Sequence, residues 1–296
     1  MPSFSLLVTC LAAFSVCQAH HVFVRLAHNG VWQSPLQYIR NKTAPYADQS
    51  KVEIWPREWN FPVFPDDFPT SVRCGRDSLA HANKTSTLKV KAGDTIEFVA
   101  WSYSPYDWDN PALAQWDNCP DGRGVCASYD PQAYGIGHSG PAGMYLSRVP
   151  AGEKIHTYDG SGEWVKIFTL GYELRNNTDN PIFWLPLGGT RMIATLPKQT
   201  PKGQYLLRVD QIWPGVREYS AQIYPSCAHI EVESEYAGDL PKGVKIPEIF
   251  SATSPGMKYD EQGDWRFGPP GYRYPGGLQW DGEKMAEVEM PKPDGM

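Results

Sequence analysis

The sequence predicts an all-β protein, an immunoglobulin/fibronectin-like antiparallel β-sandwich with long loops. Three observations predict it. Short runs of β-branched and aromatic residues alternate on a period of two. Turn dipeptides and Gly- or Pro-rich breaks separate them. No stretch sustains a helical period. Aromatic residues make up 13% of the chain, and Gly and Pro contribute 27 residues each, which suits short strands joined by structured loops and does not suit a helical bundle.

The elements follow in chain order. Residues 2–19 hold an apolar run from Phe4 to Val16 that ends in small residues before Ala19. That is the shape of a secretory signal peptide (1–19) cleaved after Ala19, and it is too short to span a bilayer as a helix. The usual positive start is missing, because no Lys or Arg precedes Arg25. No later segment is apolar for long enough to cross a membrane. The polar end MAEVEMPKPDGM does not support a lipid-anchor signal.

One β domain is expected over 20–280. Residues 21–26 read as its first strand, and Asn29-Gly30 as the tight turn after it. Residues 91–94 read as a turn, and residues 95–101 as a strand with Ile96, Phe98 and Ala100 on one face. Pro201-Lys202-Gly203 introduces a strand over 204–209, and residues 228–233 alternate cleanly. Two stretches have no period: a long insertion over 102–137, and an aromatic-rich segment over 236–280 expected to wrap along the domain. Residues 281–296 read as a polar disordered tail.

Cysteine usage agrees with export. Of six cysteines, Cys10 and Cys17 leave with the signal, while Cys74, Cys119, Cys126 and Cys227 remain. Four cysteines in an exported chain read as two disulfides with three possible pairings. Wide spacing and the lack of a CxxC motif argue against a zinc site. The tripeptides beginning at Asn41, Asn83 and Asn176 fit N-glycosylation acceptors. A net charge of −6 argues against a nucleic-acid partner.

Seven histidines limit the metal chemistry available. His20 would lead the mature chain, where its α-amine and ring Nδ1 can chelate one metal ion. A third nitrogen from a distant histidine would complete a nitrogen-rich, nearly planar set suited to Cu(II). His138 lies in Gly137-His138-Ser139-Gly140-Pro141, a run that makes a tightly shaped loop. Tyr224 precedes Cys227 by three residues, on a strand held rigidly, and its oxygen could serve as a weak axial ligand. Composition alone also allows a solvated terminus for His20, an ordinary surface histidine for His138 and a core tyrosine for Tyr224. The carboxylates Asp107, Asp109, Asp117, Asp121 and Glu163 form no motif that pairs them, so they read as solvated loop charges and not as a hydrolytic pair.

Taken in order, HHVFVRLAHNGVWQ (20–33), SVRC (71–74), GHSGPAGMYLSRV (137–149), GEWVKI (162–167), GQYLLRVD (203–210), AQIYPSCAHIEV (221–232), LPKGVKIPEIFSATSPGM (240–257) and YPGGLQW (274–280) resemble auxiliary activity family 9. These are the fungal lytic polysaccharide monooxygenases formerly called glycoside hydrolase family 61. The resemblance implies one copper ion per chain, with His20 and His138 as ligands and Tyr224 as the axial ligand. It places Gln222 beside Tyr224 as a catalytic residue, just behind the ligands. His21 is the nearby competitor to His20, and the alignment of Phe23 with the family's strand favours His20. The resemblance also implies the disulfides Cys74–Cys227 and Cys119–Cys126.

What the resemblance implies about function is a secreted, extracellular monomer that oxidises C1 or C4 of a β-linked plant polysaccharide, cellulose or a hemicellulose. It would act with an external electron donor and O2 or H2O2, and without nucleic-acid or membrane partners. One departure counts against this. The family usually carries a histidine between its RxE and QxY strands that hydrogen-bonds oxygen species, and here no histidine lies between His156 and His229. Loss of such a neighbour often costs about 10–100-fold. The alternative is therefore a copper-binding protein of the same fold with little or no polysaccharide cleavage. A metal-free carbohydrate-binding module using stacked Trp and Tyr is a third reading.

Overall fold

The computed structural model describes residues 20–42, 59–101, 136–175, 182–258, 272–289 and 291. The expected signal peptide, most of the expected insertion, the Cys119–Cys126 pair and Asn176 lie outside the described residues.

Two sheets face one another. The smaller is antiparallel throughout, in the order β2-β1-β4-β9. Its strands are β1 (Val22–His28), β2 (Val31–Trp32), β4 (Thr95–Trp101) and β9 (Arg191–Thr195). Asn29 and Gly30 join β1 to β2 with φ of 49° and 79°. Both values are positive, as a turn between twisted strands requires, and Asn and Gly tolerate that region best.

The larger sheet has eight strands and follows the path β14-β13-β6-β5-β10-β12-β3, with β11 paired to β10. Its members are β3 (Leu88–Lys91), β5 (Ala142–Arg148), β6 (Val165–Leu170), β10 (Gly203–Trp213), β11 (Gln222–Ile223), β12 (Ser226–Glu233), β13 (Gln279–Trp280) and β14 (Met285–Ala286). A separate pair, β7 (Tyr172–Leu174) with β8 (Ile182–Trp184), stands beside it. The sandwich expected from the sequence is thus present, with one refinement. Toward the edges of the larger sheet, β3 on β12 and β13 on β6 pair in parallel.

Alternation builds the core. Phe23, Leu26, Ile96, Phe98, Ala100, Met192 and Ala194 from the smaller sheet meet Met144, Leu146, Tyr205, Leu207, Val209, Ala228, Ile230 and Val232 from the larger. Burying one such large side chain contributes about 1.5–3 kcal/mol. The opposite face of the larger sheet is covered too. There Tyr145, Trp164, Leu206, Ile212 and Cys227 pack against Val63, Val72 and Cys74 on one side of the chain and Ile246, Phe250 and Met257 on the other. The segment expected to wrap along the domain touches the sheet at named points: Val244 bridges Trp164, and Gly215 donates to the Met257 carbonyl at 3.0 Å.

Residues 281–289 do not form the disordered tail expected of them. Trp280 is buried against the inter-sheet core, and the chain turns back to pair Met285 with it. The Asp281 carboxylate holds that turn by accepting the amides of Glu283 and Lys284, both at 2.9 Å.

Helix α1 (Pro69–Cys74) ends on the disulfide Cys74–Cys227, which closes a separation of 153 residues. Arg208, fully buried on β10, reinforces this join. Its Nε donates to the Arg73 carbonyl at 2.7 Å, it pairs with Asp210, and its guanidinium lies over Phe250 at 4.9 Å. A cross-link over so long a loop restricts the unfolded chain strongly. Replacing both Cys74 and Cys227 with Ala is expected to lower the unfolding free energy by about 2–4 kcal/mol in urea titrations. A change below about 0.5 kcal/mol would show that the join is held by packing alone.

Candidate metal centre

The inward row of β10 explains where the site forms. Tyr205, Leu207 and Val209 fill the inter-sheet core, and the next two positions of that row are Gln211 and Trp213. The apolar filling stops there, at one end of the sandwich, and polar and aromatic side chains from four segments close the gap.

His138 arrives on a loop fastened at both ends. Before it, Ile136 donates its amide to the Gly189 carbonyl at 2.9 Å, and Gly188 donates back to Ile136 at 2.8 Å. After it, the Ile212 amide donates to the Pro141 carbonyl at 2.9 Å. Between them Gly140 has φ of +141°, and a Cβ there would stand 2.0 Å from the Ile212 carbonyl oxygen. Only glycine lets this loop lie so close to β10.

His20 is held from the other side. Asn60 Nδ2 donates to the His20 carbonyl at 3.4 Å, and the Phe61 ring meets the His20 imidazole edge-on at 5.4 Å. The loop bearing Asn60 and Phe61 is braced by a buried ion pair, Arg76 to Asp67 at 2.7 Å, and Arg76 also donates to the Pro62 carbonyl at 2.7 Å. Burial pushes the Asp67 carboxyl up to about 6 despite the opposing pull of Arg76.

Tyr224 follows β11, its amide donating to the Gln211 carbonyl at 2.9 Å. Its hydroxyl donates to Gln222 Oε1. Complete burial holds that hydroxyl well above its ordinary range, so it stays a neutral phenol.

The three rings named by the sequence come together. His20 and His138 have centroids 5.8 Å apart, His20 and Tyr224 6.1 Å, and His138 and Tyr224 5.8 Å. His21 faces inward: it is fully buried, stacks on Tyr224 at 4.3 Å and meets Phe23 edge-on. The two neighbours thus differ in exposure: His20 is half-buried, whereas His21 is fully buried against Tyr224. The other histidines belong elsewhere. His28 meets Asp94 at 2.6 Å, and His229 accepts from Arg40 Nε at 2.7 Å, with His156 edge-on to it.

The matching of sequences decides the family. The sequence model of Auxiliary Activity family 9, formerly GH61, matches residues 20–266. The chain belongs to this family. Among curated proteins, AA9 family lytic polysaccharide monooxygenase C of Emericella nidulans is 29% identical over 280 residues, which is 94% of this chain and 98% of that protein. AA9 family lytic polysaccharide monooxygenase H of Malbranchea cinnamomea is 30% identical over 277 residues, covering 92% and 96%. Among solved structures, Cel61B from Hypocrea jecorina, a glycoside hydrolase family 61 member, superposes with a TM-score of 0.57 at 16% identity, covering 88% of this chain and all of that one. The extended catalytic domain of H. jecorina LPMO9A gives 0.58 at 22%, covering 93% and 96%. At such identities these structures show a shared sandwich fold.

An AA9 chain is expected to hold copper, and the residues present fit that ion. His138 Nε2 is buried and has no hydrogen-bond partner. A buried ring nitrogen without a partner is costly in a folded protein unless something else satisfies it. Burial, and then the charge of His20, lowers the His138 pKa to about 4, and burial lowers that of His20. Both imidazoles are therefore neutral near pH 7, the form a metal requires. Among the described residues no three His, Cys, Asp or Glu side chains cluster.

Sequence reasoning did not single out Gln211, Trp213, Asn60 or Phe61. Extending the inward row of the strand over 204–209 by two positions points to Gln211 and Trp213. Nothing local points to Asn60 or Phe61. Among the sequons, Asn83 is exposed, whereas the Asn41 side-chain oxygen accepts from Trp59 Nε1 at 3.0 Å. Asp67→Ala removes the buried carboxylate that pairs with the Arg76 guanidinium, which is 1% exposed. The expected loss is about 3–5 kcal/mol of unfolding free energy. A loss below about 1 kcal/mol in urea titrations would show that the pair does not brace the loop beside His20.

Proposed function

We propose that the chain is processed after Ala19 and that the free amine and ring of His20, together with His138 Nε2, hold one copper ion. Tyr224 would offer its phenol oxygen to the ion, and Gln222 accepts the Tyr224 hydroxyl proton in a hydrogen bond. The observation that carries this reading is the buried, unpartnered Nε2 of His138, on a ring whose centroid lies 5.8 Å from that of His20. The family match, which begins at residue 20, agrees with His20 as the first residue of the functional chain.

On this reading the protein is a secreted, copper-dependent polysaccharide monooxygenase acting oxidatively on a β-linked plant polysaccharide, cellulose or a hemicellulose. When bound, copper supplies one-electron activation of O2 or H2O2. The chain's own residues supply placement. The loop around Gly140 fixes His138, and Asn60 with Phe61 fixes the first residue. The buried Tyr224 hydroxyl, directed to Gln222, keeps its proton.

A second reading has its own support. No histidine lies between His156 and His229, and the residue that faces the His138 ring from β10 is Trp213, which offers no proton-bearing nitrogen on its stacked face. A copper protein of this fold with little or no polysaccharide cleavage would keep the ligands and lack this hydrogen-bonding neighbour.

Intact mass and copper(II) electron paramagnetic resonance of the secreted protein test the site. The expected result is a chain beginning at His20 with a nitrogen-coordinated signal, and at least a hundredfold weaker copper binding in His138→Ala. A native chain beginning elsewhere, or a His138→Ala spectrum identical to wild type, removes the site. Incubation of the copper-loaded protein with a reductant and cellulose or xylan then separates the two readings. Oxidised oligosaccharides establish the monooxygenase, and their absence alongside tight copper binding establishes the second reading.

A further inference from the structure

β10 grips His138 twice. Gln211 and Trp213 are two positions apart, so both project from the same side of the strand. The Trp213 indole lies face to face with the His138 imidazole, with centroids 4.7 Å apart and planes 14° from parallel. Gln211 is fully buried and its Nε2 donates to the His138 carbonyl at 3.3 Å, while its Oε1 has no partner. A buried carboxamide with one oxygen unsatisfied destabilises the fold, so the bond it makes to His138 must serve placement. The indole lies on one face of the ring, and the carboxamide fixes the backbone from which the ring hangs.

We propose that Trp213 and Gln211 form a positioning pair for His138. Trp213 sets the plane of the imidazole and Gln211 sets the height of its backbone, so that the buried, unpartnered Nε2 is held in one place. This rests on the reading of His138 as a metal ligand, but the placement itself is a property of the metal-free chain. A flat ring stacked within van der Waals reach cannot turn about its own χ2 without sweeping into the indole. Trp213 therefore acts as a rotational stop, where a hydrogen-bonding side chain would act as a partner.

The test uses the secreted protein and its variants Trp213→Ala, Trp213→Phe and Gln211→Met. Without metal, NMR of the His138 ring protons is expected to show one sharp set in wild type and in Trp213→Phe, and exchange-broadened or doubled signals in Trp213→Ala. With copper(II) sulfate, Trp213→Ala and Gln211→Met are expected to bind about 10–100-fold more weakly, the usual cost of losing an outer support. Their paramagnetic resonance spectra should broaden or split into two species, and Trp213→Phe should restore the single wild-type signal. Thermal melts of the same samples confirm that each variant is folded; a variant that is not folded is replaced by Trp213→Tyr or Gln211→Asn, read by the same criteria. Wild-type copper affinity and a single sharp ring set in Trp213→Ala would overturn the proposal. If wild type itself binds no nitrogen-coordinated copper, the metal reading falls, and the metal-free ring signals still decide whether Trp213 positions His138.

Discussion

The structure depends on the central strand of its larger sheet. β10 runs from Gly203 to Trp213 and is paired on both sides, with β5 over residues 205–211 and with β12 over residues 203–209. A strand fixed along both edges cannot shift its register by one residue without turning its whole inward row outward. That row is Tyr205, Leu207 and Val209 in the core, then Gln211 and Trp213 at the open end. The outward row carries Leu206, Arg208 and Ile212, which meet the disulfide-tied helix and the wrapping segment. One register thus fixes the core, the cover on its far face and the wall of the candidate metal centre.

The same constraint places the other candidate ligands. Tyr224 sits where β11, paired to the end of β10 through Trp213 and Gln222, gives way to β12. Three residues later Cys227 is tied to Cys74, and its carbonyl accepts the Arg40 amide at 2.9 Å. His138 is pinned to β10 at Ile212 and to the 188–189 turn. His20 is the exception, since it is held by a loop and not by a strand. The buried Asp67–Arg76 pair gives that loop stiffness that its apolar side chains, Phe61 and Phe64, would not give alone.

Much of this was legible in the residues, for reasons that differ by element. Strands 95–101 and 204–209 could be read because one side of each faces a core, which imposes a period of two. β12 starts two residues before the expected 228, because Ser226 and Cys227 pair with β10 although neither has a strong strand preference. The candidate ligands could be named because the ordered motifs carry them. Asn60 and Phe61 could not be read, because they reach His20 across a long loop closure that no local pattern encodes. The tail after Trp280 was misread for a similar reason. Its polar composition suggested disorder, but a single buried indole and the Asp281 turn hold it on the sheet edge.

Two buried polar atoms without partners lie at the open end. Such an atom costs about 1–3 kcal/mol, and a fold of ordinary stability can carry few of them. His138 Nε2 and Gln211 Oε1 are two of them, and they belong to residues joined by a hydrogen bond. Other buried polar side chains are well connected: Arg40 reaches His229, Ile155 and Tyr158, and Tyr158 itself bonds Ser147 at 2.7 Å. Unpartnered buried atoms occur elsewhere too, Thr169 Oγ1, Trp184 Nε1 and Ser226 Oγ among them, and His138 Nε2 differs from these in belonging to a ring 5.8 Å from that of His20. The rigid supports around His138 then follow from the same logic. An unsatisfied nitrogen is useful only if it cannot turn away to find a partner of its own, and the flat face of Trp213 prevents that turn.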